Sequence, residues 1–172
     1  MKRLSFLLLF MCVGFAPLYA QSIQLPNACK KILDKNFRGW KLGKVPKEVS
    51  AYHKERKFPF EPNLIKGDWN GDGKIDYAVL IRQGKWKNSD GKAIVDRTFT
   101  IAFVKNQKGF KHFRLEGGDY IQIFKKGVKD YNYDSNKDFI YKNDAIFVGV
   151  GECCGSSYIW KKGKFIGFIT SD

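Results

Sequence analysis

The chain reads as an α+β protein, mainly an antiparallel β-sheet meander with one or two N-terminal helices. Two observations lead there. From Asn63 onward, β-branched and aromatic runs alternate with short turns rich in Gly, Asn, Asp and Lys. Helical periodicity, by contrast, is confined to the region before residue 57.

The first predicted helix spans Pro26 to Phe37. Cys29, Ile32, Leu33 and Phe37 recur at three- and four-residue steps and make one apolar face. Pro26 suits a first helical turn and Gly39 a stop. A second, shorter helix is expected over Pro46 to Arg56, with Val49, Tyr52 and His53 on one side. Strands follow at Lys74–Trp86 and Ala93–Lys105, joined through residues 87–92. The turns Gln107-Lys108-Gly109 and Glu116-Gly117-Gly118 lead into strands at Phe110–Leu115 and Asp119–Lys125. Ala145–Val150, Ser157–Lys161 and Lys164–Ser171 complete the set. Short strands with local connections favour antiparallel pairing, and the helices are expected to cover one sheet face.

Residues 1–20 have the pattern of a secretory signal peptide. Lys2 and Arg3 precede a compact apolar run, Leu4 to Phe15, and Ala20 offers a small residue for cleavage. The run is too short to span a membrane. Export to the periplasm or beyond is expected, with residues 21–172 as a single domain. The formal charge is +14, and +12 once Lys2 and Arg3 are removed. The excess is lysine spread along the chain, which favours anionic surfaces. In an exported chain this points to an anionic envelope component or an acidic protein, and not to nucleic acid.

Three cysteines follow residue 20: Cys29, Cys153 and Cys154. An oxidising compartment favours one disulfide. The expected bridge ties Cys29 to Cys153 or Cys154; a vicinal Cys153–Cys154 bridge is the alternative. Their spacing does not suit zinc, and no Cys-x-x-Cys-His for haem attachment exists.

One segment has a spacing that speaks for a definite chemistry. Residues 68–76 read Asp68-Trp69-Asn70-Gly71-Asp72-Gly73-Lys74-Ile75-Asp76. Oxygen side chains stand at loop positions one, three, five and nine, with glycine at six. Hard oxygen ligands of this kind suit calcium, which takes about six to eight oxygens at about 2.3–2.6 Å. The expected ligands are the side chains of Asp68, Asn70, Asp72 and Asp76 and the carbonyl of Lys74, whose ammonium is expected to point outward. An EF-hand is excluded: position twelve is Val79, where a bidentate glutamate is needed, and a strand follows instead of a helix. The run into Tyr77-Ala78-Val79 resembles the calcium loops of the FG-GAP/VCBS repeat family over residues 66–80. That resemblance implies the same five ligands and a β-hairpin setting. The loop occurs once, without the family's flanking Phe-Gly and Gly-Ala-Pro pairs, so a multi-blade propeller is not implied. The whole chain resembles uncharacterised exported single-domain proteins with one such loop, a likeness that brings no known activity.

Other constellations are weaker. Asp130, Asn132, Asp134, Asn136 and Asp138 alternate like a second ion loop but lack the glycine, and read as a solvated loop. Asp144 reads as a structural turn acid. His53 and His112 are the only histidines, and Gly155-Ser156-Ser157 lacks a nucleophile elbow. No catalytic set emerges, so no enzyme is expected. Trp40, Trp69, Trp86 and Trp160 could line a glycan-binding face with nearby lysines, although such residues mostly fill cores. Trp69, between two ligands, is expected to be partly exposed. The expected function is a calcium-stabilised binding module for an anionic partner. The alternative is an immunity or inhibitor protein against a toxin or envelope enzyme.

Overall fold

A computed structural model describes residues 23–56, 63–87, 94–151 and 154–171. The expected signal segment and Cys153 lie outside them. Helix α1 covers Asn27–Asn36 and α2 covers Lys47–Glu55. The strands are β1 (Lys41–Leu42), β2 (Leu64–Gly67), β3 (Asp76–Lys87), β4 (Ile94–Asn106), β5 (Gly109–Arg114) and β6 (Tyr120–Phe124). Then come β7 (Lys129–Asn132), β8 (Lys137–Ile140), β9 (Ala145–Val150), β10 (Cys154–Lys161) and β11 (Lys164–Ser171). Pairing is antiparallel throughout. The first sheet runs β1-β3-β4-β5, with β2 also on β3; the second runs β11-β10-β9-β6. The order departs from a plain meander at β6, which pairs with β9 across the β7–β8 hairpin.

The period-two alternation of β3 and β4 explains the layering. Val79, Ile81, Phe99, Ile101 and Phe103 form one apolar face, on which α1 lays Leu25, Cys29, Leu33 and Phe37. Ala78, Leu80, Ala102 and Val104 form the other face, packed on Ile121, Ile146, Val148 and Tyr158 of the second sheet. The first sheet is thus the middle layer, which is why its central strands are apolar on both sides. On α2, Val49 is buried while Tyr52 is exposed. The hairpin β7–β8 closes on the outer face of the second sheet. Tyr141, just after it, is buried there with its hydroxyl donating to Asp130 (2.6 Å) and bonded to Ser157 (2.7 Å).

One expectation is corrected. Trp69 is fully buried, not partly exposed. Its indole packs in the core between the two sheets, with Nε1 donating to Tyr77 O at 3.4 Å. Its ring lies over Gly67, where any Cβ would collide with it. Cys29 is a free, buried thiol between α1 and the first sheet, and Cys153, one of its expected bridge partners, lies outside the described residues. Cys154 opens β10 in the other sheet, so the middle layer separates the two. Burial pushes the Cys29 thiol up to about 12, far from a reactive thiolate.

Candidate metal loop and the basic end beside it

Residues 68–75 link β2 to β3 and fold on their own backbone. Asp68 Oδ1 accepts the N–H groups of Gly71 (2.8 Å) and Asp72 (3.1 Å), and Oδ2 accepts that of Gly73 (2.8 Å). Asn70 Oδ1 accepts from Asp72 N–H at 3.1 Å, and Asp72 Oδ1 from Lys74 N–H at 3.0 Å. Gly71 (φ 76°) and Gly73 (φ 78°) take the left-handed turns that this curl needs. The alternation of Asx residues read from the sequence is therefore a run of side-chain-to-backbone turns.

Asp76 is the deep member. It is fully buried, with Oδ2 accepting Trp69 N–H (3.0 Å) and Oδ1 accepting Lys105 N–H (2.7 Å). It ties the loop's second residue to the end of β4. Burial raises its pKa to about 6; the two N–H bonds oppose that, and the charges of Asp72 and Asp68 add to it. Asp72 is held below the usual carboxylate range, first by the Lys74 N–H. The Lys74 ammonium does not point outward as expected. It folds back onto Asp72 Oδ2 at 3.1 Å, the nearest positive charge to that carboxylate.

Two residues that sequence reasoning did not place at the loop brace it. Asp144 Oδ2 accepts Asp68 N–H (3.1 Å) and the Lys125 ammonium (3.0 Å), while Oδ1 accepts Lys126 N–H (3.1 Å). Burial pushes the Asp144 pKa up, but these three donors outweigh it and hold the group below its ordinary value. Asn143 Nδ2 donates to Trp69 O at 3.4 Å. Neither contact leaves a local signal, because the two segments are more than seventy positions apart.

The loop's donor chemistry fits a hard cation. Three carboxylates and an amide oxygen lie within nine residues, and one buried carboxylate has its ionisation opposed by the other two. In this conformation, no three His, Cys, Asp or Glu side chains gather as a ligand cluster among the described residues. Asp68 spends its oxygens on backbone N–H groups and Asp72 on Lys74. Coordination would require Asp72 to leave Lys74.

Beside the loop, three turns converge. Asn70, Asp72 and Lys74 meet Lys105, Asn106, Gln107 and Lys111 of the β4–β5 region and Trp160 and Gly163 of the β10–β11 hairpin around a pocket of about 370 Å³. Lys161, Lys162 and Lys164 flank Gly163 and are exposed. A larger cavity of about 860 Å³ lies between the open edges of the two sheets. Arg97 and Arg114 sit over the Phe99 ring there, at 5.8 and 3.8 Å. Glu116 and Asp134 line the same cavity, so its charges balance. The lysine-rich end is the net basic one.

The remaining candidates are dispersed. Phe37 and His112 meet edge to face on the helix side of the first sheet, whereas Ser157 bonds Tyr141 and Thr170 on the outer face of the second. The tryptophans do not share a face either: Trp40 packs near α1, Trp69 is in the core and Trp160 is at the turn end. Among the described residues, no helix is long and apolar enough to cross a membrane. Compared with protein-family models, with curated proteins and with solved structures, the chain finds no match.

Proposed function

We propose that this protein is an exported, calcium-stabilised binding module whose basic end takes an anionic envelope component, with no catalytic step assigned to it. One observation carries the reading: Lys74 of the loop and Lys111 of β5, from distant segments, line one pocket with Trp160, beside the exposed Lys161, Lys162 and Lys164. A solubilising lysine excess has no reason to gather around a concave, aromatic-walled site. Such convergence raises the local potential and attracts anions, more weakly as salt rises. Calcium in the neighbouring loop, held by Asp68, Asn70, Asp72, Asp76 and the Lys74 carbonyl, would have a structural role. Asp76 joins that loop to β4, which carries Lys105, so ordering the loop orders the basic end.

Retention of residues 21–172 on an immobilised carboxylated polyanion tests the reading. The native chain should be retained at low salt and released as salt rises. The Lys111→Glu/Lys164→Glu double variant should pass through, while a Lys30→Glu/Lys31→Glu control on α1 should be retained. Equal loss in both variants would reduce the effect to net charge and refute a specific basic site. A salt-resistant, stoichiometric complex with a protein would favour the inhibitor alternative.

A further inference from the structure

The basic pocket holds more than charge, and its neutral groups narrow the ligand. We propose that it takes a uronate residue of an acidic glycan, with the carboxylate on Lys111 and the sugar ring against Trp160. This rests on the anionic-ligand reading above and deepens it.

The aromatic wall comes first. Trp160 stands nearly perpendicular to Phe113 (centroids 5.1 Å apart, 86°) and to Phe165 (5.2 Å, 78°). Phe113 and Phe165 meet the same way at 5.5 Å and 76°. Three partly buried rings, each edge-to-face with the other two, hold Trp160 in place at the border of the core. A sugar ring has an apolar C–H face to lay on such a wall, whereas a phosphate chain has none.

The amides come second. Asn70, Asn106 and Gln107 line the pocket. Asn106 Oδ1 accepts Lys108 N–H at 2.8 Å, and Asn70 Oδ1 accepts Asp72 N–H at 3.1 Å. Backbone N–H groups thus orient both amides and leave their NH₂ groups as donors. Amide donors suit hydroxyl oxygens, which a glycan presents around its ring.

The lysines come third. The Lys111 ammonium lies over the Phe113 ring at 4.9 Å and the Lys105 ammonium over the Phe110 ring at 5.0 Å. Among the described residues, neither is paired with a carboxylate. Phe113 lies on the Trp160 side of the first sheet, so Lys111 is held there with its charge available to a ligand, whereas Phe110 packs with the helix-side cluster and keeps the Lys105 ammonium on the opposite face. A volume of about 370 Å³ suits a short stretch of sugar chain, at the lower end of the roughly 300–1,000 Å³ of small-ligand sites.

Calorimetric titration of residues 21–172 with trigalacturonate, neutral galactotriose and tripolyphosphate tests this. The titrations are run in millimolar calcium, and the heat of each ligand's own calcium binding, measured without protein, is subtracted. Trigalacturonate should bind, and galactotriose about tenfold more weakly or not at all. Trp160→Ala should weaken trigalacturonate about tenfold while leaving tripolyphosphate within about twofold. Gln107→Ala, in an exposed turn that is safe to alter, should show the same selectivity to a smaller degree. If Trp160→Ala and Gln107→Ala weaken both anions equally, or only tripolyphosphate binds, the glycan assignment is overturned and the anionic-ligand reading stands. If neither anion binds, both fall.

Discussion

Two segments of this chain look alike in sequence and differ in structure. Residues 68–76 and 130–138 both alternate acidic or amide residues with others. In the first, Gly71 and Gly73 adopt positive φ, and the side chains turn back onto the loop's own N–H groups. In the second no glycine is available, and the chain forms the β7–β8 hairpin instead of the solvated loop expected from its polarity. Its oxygens disperse: Asp130 takes the Tyr141 hydroxyl, Asp134 takes Ile169 N–H, Asn136 takes the Tyr131 hydroxyl and Asp138 pairs with Lys129 at 2.7 Å. Alternation of oxygens is therefore not enough to make a loop that concentrates charge. Two glycines supply left-handed turns in the first segment, whereas in the second only Asn136 (φ 54°) takes one.

The comparison can be broken most directly at Asp76. Replacing it with Ala leaves the N–H groups of Trp69 and Lys105 without their acceptor. Each buried orphan costs about 1–3 kcal/mol, so Asp76→Ala should lose several kcal/mol in chemical denaturation. A loss below about 1 kcal/mol would mean the loop is not anchored through this carboxylate.

Next in size is the pH response. A carboxylate raised to about 6 from 3.8 makes the folded state bind more protons than the unfolded one between those values. Its contribution therefore increases stability as pH falls from about 6 towards 4, and that gain is lost as pH rises back through 6. In EDTA, Asp76→Asn should flatten this slope relative to the native chain. Millimolar calcium should suppress it in the native chain, because a cation favours the ionised form. An unchanged slope in Asp76→Asn would assign the titration elsewhere.

Asp72→Ala should lower the melting temperature in calcium and leave it nearly unchanged in EDTA, since its ion pair with Lys74 is exposed and contributes little. An equal drop in both conditions would mean that the carboxylate acts without metal. The hairpin supplies the smallest effect. Asp138→Ala removes an exposed pair with Lys129 and should cost less than about 1 kcal/mol, equally with calcium and EDTA. A calcium-dependent effect there would make residues 130–138 a second ion loop and erase the distinction.

Much of the framework was legible in advance. The apolar steps of Cys29, Leu33 and Phe37 marked α1 and the face it buries, and the β-rich runs marked β3 to β6 and β9 to β11. The short strands β1, β2, β7 and β8 were not foreseen: they are two to four residues long, and their partners supply the pairing. Trp69 was misread because loop membership suggested exposure, whereas its ring packs into the core between the sheets.

By itself the sequence determined the antiparallel β-rich class, the helical face, the positive charge and the local curl of residues 68–76. These depend on neighbours a few positions apart, where periodicity, turn propensity and composition act directly. Only the tertiary structure decided that Asp76 is buried, that Asp144 braces the loop, and that Lys74 and Lys111 meet Trp160 in one pocket. Those are contacts between distant segments, set by how sheets stack and where turns end, and no local pattern encodes them.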